Sequence, residues 1–115
     1  MSANRLRSSN AVRRPLRYGK TVKRKLFTVK YIDSNNPKHR IAVVISKKVS
    51  KKAVVRNKIK RKITEAIRQN IASKIVKGFD IAIIVHSGDL LNLSSLELVV
   101  ELNSSFMQAG LVDDK

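Results

Sequence analysis

The 115-residue sequence predicts one α/β (α+β) domain, a two-layer sandwich in which a small mixed β-sheet is packed by a single long basic helix. Three observations predict this fold. Two β-rich apolar runs precede residue 46, an apolar residue then recurs at every fourth position, and another apolar run follows directly after Gly78. A strand, a long helix and a further strand in succession make a β-α-β unit.

The chain is predicted to divide into three segments. Residues 1–20 are predicted to form a basic N-terminal segment, in which Pro15 opposes a continuous helix, so that a short broken helix and a mobile arm are the alternatives. Residues 21–111 form a single domain, which is long enough to bury a modest core. Residues 112–115 form a C-terminal tail.

Two strands are predicted before the helix. In residues 26–32 the apolar positions alternate, which puts Phe27, Val29 and Tyr31 on one face. Residues 33–37 are dense in turn-forming types, and residues 40–46 are typical of a more fully buried strand. We expect these two strands to be antiparallel neighbours, beside a third strand that the pattern does not delimit.

The long amphipathic helix is predicted to begin near Lys52 and to continue to about Lys77. Its apolar row consists of Val55, Ile59, Ile63, Ile67, Ile71 and Ile75. At about 100° per residue, such a row drifts around the helix by about 40° at each step. The helix therefore either lies obliquely across a twisted sheet or breaks near Asn70. Gly78 is the expected C′ residue.

The last third of the domain is predicted as a strand, a turn and a second helix. Phe79–Val85 forms a buried strand, and residues 87–89 form a turn. Ser94 and Glu97 fit a capping box, with Ser94 as the N-cap residue and Glu97 at N3. Gly110 is expected to end the helix. The residues that this second helix is predicted to bury are Leu96, Val99, Val100, Asn103, Phe106 and Met107.

The charge of the chain is large and unevenly distributed. The formal net charge is +17, and 24 of the 25 Lys and Arg residues stand in residues 1–77, which contain only two acids. Such a charge opposes a compact state unless a polyanion binds, and nucleic acid is the first candidate, an anionic membrane surface the second. Residues 1–32 contain no acid and also resemble a mitochondrial transit peptide, which makes an imported organellar protein another reading.

Composition and spacing exclude several classes of chemistry. The chain has no cysteine, which excludes disulfides and zinc knuckles. No apolar run approaches the roughly 20 residues that span a bilayer. His39 and His86 are isolated, Asp80 and Asp89 lie at opposite ends of one strand-turn segment, and no glycine-rich phosphate loop occurs. The polypeptide is therefore not expected to be a catalyst by itself.

Residues 46–68 contain ten lysines or arginines and one acid, and two polar groups lie around this helix. With Ile59 as the origin of the helical wheel, the first group falls at about 100–160°. It consists of Asn57, Lys60 and Thr64. The second group, at about 180–260°, consists of Lys58, Arg61, Glu65 and Arg68. The helix can thus offer nucleic acid two positively charged surfaces, with one exposed basic face as the simpler interpretation.

These residues carry a family resemblance. Val54-Val55-Arg56-Asn57-Lys58-Ile59-Lys60-Arg61 follows Ser46-Lys47-Lys48-Val49. The order resembles the protein component of bacterial ribonuclease P, in which an Arg-Asn-Arg-x-Lys-Arg helix follows a strand that ends in Ser-Lys-Lys. Further matches are Arg5-Leu6-Arg7, Leu26-Phe27-Thr28-Val29 and Gly78-Phe79-Asp80-Ile81, so that the resemblance covers most of the chain.

The resemblance implies a fold with a left-handed β-α-β crossover and an accessory role in an endoribonuclease. It implies that a large RNA subunit with bound Mg²⁺ performs catalysis, and that the protein, with no cofactor of its own, binds this RNA and the 5′ leader of precursor tRNA. One protein per RNA, a bacterial cytoplasmic location and no membrane partner are expected. The alternative is a ribosomal or general basic RNA-binding module.

The resemblance also implies which residues bind RNA. The residues expected to bind RNA are Lys47, Lys48, Lys51, Lys52, Arg56, Asn57, Lys58, Lys60, Arg61, Lys62 and Arg68, and part of the motif helix is expected to contact the catalytic RNA. Those expected to line the leader cleft are Val12, Leu16, Phe27, Tyr31, Asn57, Lys60 and Thr64. Phe27 in particular is expected to offer a ring on which bases stack.

This sequence departs from the family pattern at several of these positions. Lys58 replaces an arginine and loses its planar fork, and Thr64 stands where another arginine is frequent. Val12 and Leu16 replace phenylalanines, and Lys30 stands where an aromatic residue is common. The sequence therefore predicts weaker base stacking in the leader cleft than is typical of the family.

Overall fold

The computed structural model describes residues 19–34, 39–75 and 78–112. Its elements are β1 (Lys20–Lys23), β2 (Phe27–Asp33), β3 (Arg40–Ile45), α1 (Ala53–Asn70), β4 (Phe79–Val85) and α2 (Ser95–Ala109). Short 3₁₀ helices occur at Ala72–Lys74 and Gly88–Asn92. The mixed α/β architecture predicted from the sequence is confirmed, and β1 is a strand that the sequence pattern did not delimit.

The four strands form one mixed sheet in the order β1-β2-β4-β3. β4 is antiparallel to β2 and parallel to β3, so β3, α1 and β4 form the expected β-α-β unit. The expectation that β2 and β3 are neighbours is wrong, because β4 lies between them. A strand that is apolar on both faces can occupy the centre of a sheet, and β4 buries six of its seven residues.

One face of the sheet packs against both helices and forms the core. Its largest fully buried side chains are Phe27, Val29, Ile59, Ile63, Ile71, Ile81, Ile83, Leu90, Leu98, Leu102, Phe106 and Leu111. The apolar row of α1 enters this core as predicted, with Ile59, Ile63 and Ile67 on its buried side.

α1 is shorter than the sequence predicts. It ends at Asn70 rather than near Lys77, since Ile71 leaves helical geometry with φ −124° and ψ −36°. The chain then makes a 3₁₀ turn, and Ile71 remains buried. Of the two alternatives that the drifting apolar row left open, the structure therefore has the break near Asn70. Gly78 is consequently not the C′ residue of this helix.

The ends of α2 are as predicted, but its buried face is not. The Ser94 hydroxyl accepts from the Glu97 backbone N–H, Glu97 Oε1 accepts from the Ser94 N–H, and Gly110 adopts a left-handed conformation with φ 77°. The residues that α2 buries are Leu98, Leu102, Ser105 and Phe106. The predicted burial of Leu96, Val100 and Met107 is wrong, because these side chains are exposed.

Candidate nucleic-acid interface

The N-terminal half of α1 and the loop before it carry a continuous series of exposed cations. In the loop, Lys47, Lys48, Lys51 and Lys52 are exposed. The Ser46 and Ser50 hydroxyls accept hydrogen bonds from the Lys48 and Lys52 backbone N–H groups, respectively, which fixes the turns between these lysines. Within the described ranges, no carboxylate forms an ion pair with these four lysines. The loop therefore presents uncompensated positive charge.

Arg56 joins this loop to the helix. Its Nη1 donates to the Ser50 backbone oxygen at 2.8 Å, and the side chain is half-buried. Because guanidinium has five N–H donors, this bond leaves others for a phosphate. Arg56 thus orders the loop that precedes α1 while keeping its charge at the surface.

The two polar groups on α1 differ in their surroundings. Asn57, Lys58, Arg61 and Thr64 are exposed, whereas Lys60 is half-buried. Lys58 and Arg61 lie on the outward side, where phosphates can approach without displacing protein atoms. Lys60 lies with Asn57 and Thr64 on one flank of α1, and the helix packs beside β3, one of the two edge strands of the sheet.

Lys62 lies on the other flank of α1 and is engaged within the protein. Its Nζ donates to the Leu91 carbonyl oxygen at 3.2 Å and also to that of Leu93. These bonds tie α1 to the 3₁₀ turn before α2, and Lys62 as a whole is half-buried there. Lys62 thus has a structural role in the fold, and the expectation that it also binds RNA stays a prediction.

Arg68 is exposed but paired. Its Nη2 donates to Glu65 Oε2 at 2.8 Å, and the Gln69 amide donates to the same oxygen at 3.1 Å. The hydrogen bond from Arg68 lowers the pKa of Glu65, and the same bond raises the pKa of Arg68. An RNA phosphate would have to compete with this carboxylate. Arg68 is thus a weaker candidate than Lys58 or Arg61.

The aromatic residues expected in the leader cleft lie on the helix-packed face of the sheet. Phe27 is 1% exposed and belongs to the core, so a base could stack on it only after the helices moved away. Tyr31 is half-buried on the same face, and its ring meets Phe79 edge to face at a centroid distance of 6.1 Å. The stacking role expected for Phe27 is corrected on this ground.

The opposite face of the sheet is lined by a different set of side chains. Strand register places Lys23 beside Thr28, Thr21 beside Lys30, and Arg40 beside Asp80. Two leader-cleft positions that the resemblance assigns, Val12 and Leu16, lie outside the described residues. We name this surface the second face of the sheet; its described residues are Thr21, Lys23, Thr28, Lys30, Ile32, Arg40, Ala42, Val44, Asp80, Ala82 and Ile84.

Two polar pairs on the second face were not predicted from the sequence. Arg40 donates from Nε and Nη2 to the two carboxylate oxygens of Asp80, at 2.9 and 2.8 Å, and Asp80 is fully buried. His86 is exposed, and its Nε2 lies 2.5 Å from Thr28 Oγ1. The alternation of side chains along β2 puts Thr28 on the face opposite Phe27, but the sequence does not show which of these two faces the helices cover.

Burial lowers the pKa of His39, the residue that immediately precedes β3.

The described residues contain no group of three or more His, Asp or Glu side chains that could hold a metal ion. Over the same ranges, none of the helices is both long enough and apolar enough to span a membrane.

Comparison with known proteins gives consistent matches. The family model described as Ribonuclease P matches residues 1–110. The ribonuclease P protein component of Clostridium botulinum (strain 657 / Type Ba4) is 34% identical over 87 residues, covering 76% of this chain and 78% of the relative. That of Synechocystis sp. is 39% identical over 74 residues, covering 64% of this chain and 58% of the relative.

Solved structures agree. The RNase P protein from Thermotoga maritima superposes with a TM-score of 0.77 at 28% identity, covering 87% of this chain and 92% of that one. The Staphylococcus aureus RNase P protein superposes with a TM-score of 0.80 at 24% identity, covering 97% of this chain and 100% of that one, and supports the fold alone.

Proposed function

The chain belongs to the ribonuclease P protein family, and we propose that it binds the catalytic RNA through α1 while holding the 5′ leader of precursor tRNA beside that helix. As a subunit of ribonuclease P it takes part in the 5′ maturation of tRNA. The polypeptide supplies binding, and the RNA supplies the chemistry. We place the protein in the bacterial cytoplasm with its RNA partner.

The single observation that carries the proposal is the uncompensated charge between Lys47 and Arg61. Lysines 47, 48, 51, 52 and 58 and Arg61 are exposed, and no described carboxylate pairs with them. Neutralising phosphates with such cations releases counterions, which supplies most of a sequence-independent affinity for RNA. The opposite side of α1 is anchored in the core through Ile59 and Ile63, so Lys58 and Arg61 are held on a rigid element.

We assign the leader to the flank of α1 that carries Asn57, Lys60 and Thr64. This flank is turned away from Lys62, since residues 60 and 62 differ by about 200° around the helix. Asn57 and Thr64 are exposed there, and their short polar groups can bond to phosphate or base edges. Because Phe27 is buried, backbone charge rather than stacking on this ring would hold the leader, which fits a site that accepts many sequences.

The family resemblance implies Mg²⁺ in the holoenzyme, and we propose that RNA phosphates hold it. The carboxylates of the described residues do not cluster, and the buried one, Asp80, is occupied by Arg40. The protein then places its own lysine and arginine side chains at the RNA–leader junction, where they neutralise phosphates. Binding energy from the leader, which is remote from the scissile bond, would favour productive binding of the precursor.

The experiment that tests the accessory role is cleavage of precursor tRNA at low Mg²⁺ by a bacterial ribonuclease P RNA, with and without this protein. We expect faster cleavage at the mature 5′ end with the protein, and none with the protein alone. Tight RNA binding without stimulation, repeated with RNAs of more than one structural type, would contradict the proposal. That result would favour a general basic RNA-binding module instead.

Leader recognition is tested separately by comparing precursors with a long and a trimmed leader. We expect Lys60→Met to reduce the affinity advantage of the long leader, because the ammonium lies on the flank assigned to it. Lys74→Met is the matched control, since Lys74 is exposed at the far end of the helical segment. An equal loss of affinity for both precursors would place Lys60 on the catalytic RNA instead.

A further inference from the structure

Loops from all four strands meet at one end of the sheet. β3 and β4 are parallel, so both end there, β3 before the loop of residues 46–52 and β4 before His86. The turn between β1 and β2 lies at the same end, because the His86 backbone N–H donates to the Leu26 carbonyl oxygen at 2.9 Å. A Cβ atom on Gly88 would lie 3.9 Å from the Val49 carbonyl oxygen, so the loop after β4 contacts the loop after β3. The exposed lysines before α1 and the β1–β2 turn are thus joined across one end of the sheet.

The β1–β2 turn carries two exposed cations. Lys23 ends β1, and Lys25 stands at the tip of the turn, which is fixed by a 2.8 Å hydrogen bond from the Arg24 N–H to the Phe27 carbonyl oxygen. Over the ranges that the structure describes, neither lysine forms an ion pair. Arg24 differs, since its Nε lies 3.9 Å from Glu101 Oε1. Lys23 and Lys25 therefore present charge that no described carboxylate neutralises by direct contact.

His86 lies between this turn and the lysine loop. It is exposed, and its Nε2 lies 2.5 Å from Thr28 Oγ1. When the Thr28 hydroxyl donates to Nε2, the neutral ring carries its proton on Nδ1. Within the described part of the chain Nδ1 has no hydrogen-bond partner, so it is free to donate to a phosphate oxygen. We name this row of side chains the basic rim; it consists of Lys23, Lys25, His86, Lys47 and Lys48.

The basic rim crosses the whole width of the sheet. β1 and β3 are the two edge strands, and three strand spacings separate them by about 14 Å. A row of cations on this scale suits a polyanion that carries a charge on every unit, because each neutralised phosphate releases counterions. The opposite end of the sheet carries Asp33 and the Arg40–Asp80 pair, so acids stand among the cations there.

One acid stands close to the basic rim. Asp89 is exposed in the 3₁₀ turn that follows β4, and it is the neighbour of Gly88, which approaches the lysine loop. In the described ranges it forms no ion pair. Its carboxylate would repel an RNA strand that crosses the end of the sheet, which makes Asp89 a sensitive position for testing such a crossing.

We propose that Lys23 and Lys25 are a second contact site for the backbone of the catalytic RNA, which crosses the basic rim from the lysine loop to the β1–β2 turn. This rests on the proposed function, in which the lysine loop and α1 are the first contact. Continuity with that surface and the positive charge of the rim select RNA as the partner. The 5′ leader is assigned to the flank of α1 that carries Lys60, which leaves the basic rim to the catalytic RNA.

Lysines on an edge strand have a second physical role, because they prevent sheets of different molecules from pairing edge to edge. That role applies to Lys20 as much as to Lys23, since both are exposed on β1. Only Lys23 belongs to the basic rim. Lys20 pairs with Tyr31 in the register of the two strands and lies about 10 Å farther along β1. RNA binding thus predicts different results for the two lysines, whereas edge protection predicts the same result for both.

Titration of the full-length protein with a bacterial ribonuclease P RNA, without precursor and at several salt concentrations, tests the proposal. We expect Lys23→Met/Lys25→Met to lower the affinity about tenfold and to make the slope of log K against log salt shallower by about 1.5 units. Lys20→Met/Lys74→Met is the matched control, since it removes the same charge from exposed positions outside the basic rim. Its affinity should stay within about twofold of the wild type. Circular dichroism checks that both variants are folded.

Asp89→Asn tests the crossing by a gain of affinity. If the RNA runs across the end of the sheet, removing this carboxylate should tighten binding about twofold or more. An unchanged affinity would overturn the continuous path. Equal losses from the two double lysine variants would overturn the second contact site. Loss of only the long-leader advantage in precursor binding would overturn the assignment to the catalytic RNA.

Arg61→Glu, measured beside these variants, separates failure of this site from failure of the proposed function. Arg61 lies on the outward side of α1, away from the β1–β2 turn in the chain and exposed. If Arg61→Glu weakens RNA binding and Lys23→Met/Lys25→Met does not, the second contact site is wrong and the proposed function stands. If the wild-type protein neither binds the RNA nor stimulates cleavage, the proposed function is wrong, and the second contact site with it.

Discussion

Arg40 and Asp80 form a bidentate ion pair between the parallel strands β3 and β4. They are register partners, and Arg40 donates from Nε and Nη2 to separate oxygens of the Asp80 carboxylate. The Asp80 side chain is fully buried, whereas 34% of the Arg40 side chain is exposed. A buried carboxylate without its cation is strongly destabilised, so this pair helps to hold the edge strand β3 against β4.

We expect Arg40→Met to lower the free energy of unfolding by about 3 kcal/mol, because it leaves the Asp80 carboxylate buried and unpaired. Urea denaturation at neutral pH measures the change. Arg68→Met, which removes an exposed arginine from its pair with Glu65, is the control and should have little effect. Equal small effects of both substitutions would mean that water reaches Asp80 and compensates for the lost guanidinium.

The capping box of α2 predicts a pH dependence. Hydrogen bonds from the Ser94 backbone N–H and then from its hydroxyl lower the pKa of Glu97 below its ordinary value of 4.5. A carboxylate with a depressed pKa stabilises the fold above its unfolded-state pKa, and that contribution is lost as the pH falls through the folded-state value.

Glu97→Gln retains an acceptor oxygen but cannot ionise. We therefore expect the variant to be less stable than the wild type at pH 7, and the difference to shrink as the pH falls below about 4.5. Urea denaturation at a series of pH values measures it. A difference that is constant with pH would show that the side-chain charge contributes nothing and that hydrogen bonding alone stabilises the helix end.

Local signals were sufficient to predict several of these features. The capping box and the left-handed Gly110 depend on residues within one helical turn, and both are present in the structure. The apolar row of α1 needed only its own periodicity, and Ile59, Ile63 and Ile67 are buried accordingly. The same row was compatible with an unbroken oblique helix and with a break near Asn70, and the structure has the break.

Nonlocal choices were not predictable from the pattern. β4 lies between β2 and β3 although it follows both in sequence, because pairing is decided by which strands can be buried on two faces. In α2, apolar residues occupy more than half of the helix circumference, so periodicity did not distinguish the buried Leu98 and Leu102 from the exposed Leu96 and Val100. In the candidate site, the sequence correctly predicted that Phe27, Val29 and Tyr31 share one face of β2. It did not show that the helices cover this face, and that covering is what keeps Phe27 from contacting RNA.

A substitution at Phe27 distinguishes a role of this ring in the core from a role in stacking on RNA bases. We expect Phe27→Leu to lower the free energy of unfolding by about 1 kcal/mol, since the ring is buried among the helices. At temperatures where the variant is folded, the affinity advantage of a long leader over a trimmed one should be unchanged. Precursor binding by the reconstituted ribonucleoprotein measures this ratio. Selective loss of the long-leader advantage would mean that the helices move away and expose the ring.

Lys62 and Lys58 are expected to have opposite effects, although both are lysines in the motif helix. Lys62→Met removes donors from the Leu91 and Leu93 carbonyl oxygens and should destabilise the fold, with little change in RNA affinity of the folded protein. Lys58→Met removes an exposed charge and should weaken RNA binding while leaving stability nearly unchanged. Urea denaturation and RNA binding, measured on both variants, distinguish the two. A loss of affinity from Lys62→Met equal to that from Lys58→Met would show that Lys62 binds RNA as well.

Charge reversal at Arg61 tests whether position or only net charge determines RNA affinity. Arg61 is exposed on the outward side of α1, so Arg61→Glu removes a phosphate contact and adds repulsion. We expect affinity for ribonuclease P RNA to fall about tenfold or more, and the slope of log K against log salt to become shallower by about one unit. Lys74→Glu changes the net charge equally at the exposed end of the helical segment and should have a much smaller effect. Titrations at several salt concentrations measure both quantities. Equal losses from the two reversals would indicate that the RNA senses the overall charge of the chain, whereas a salt-independent affinity would contradict phosphate binding altogether.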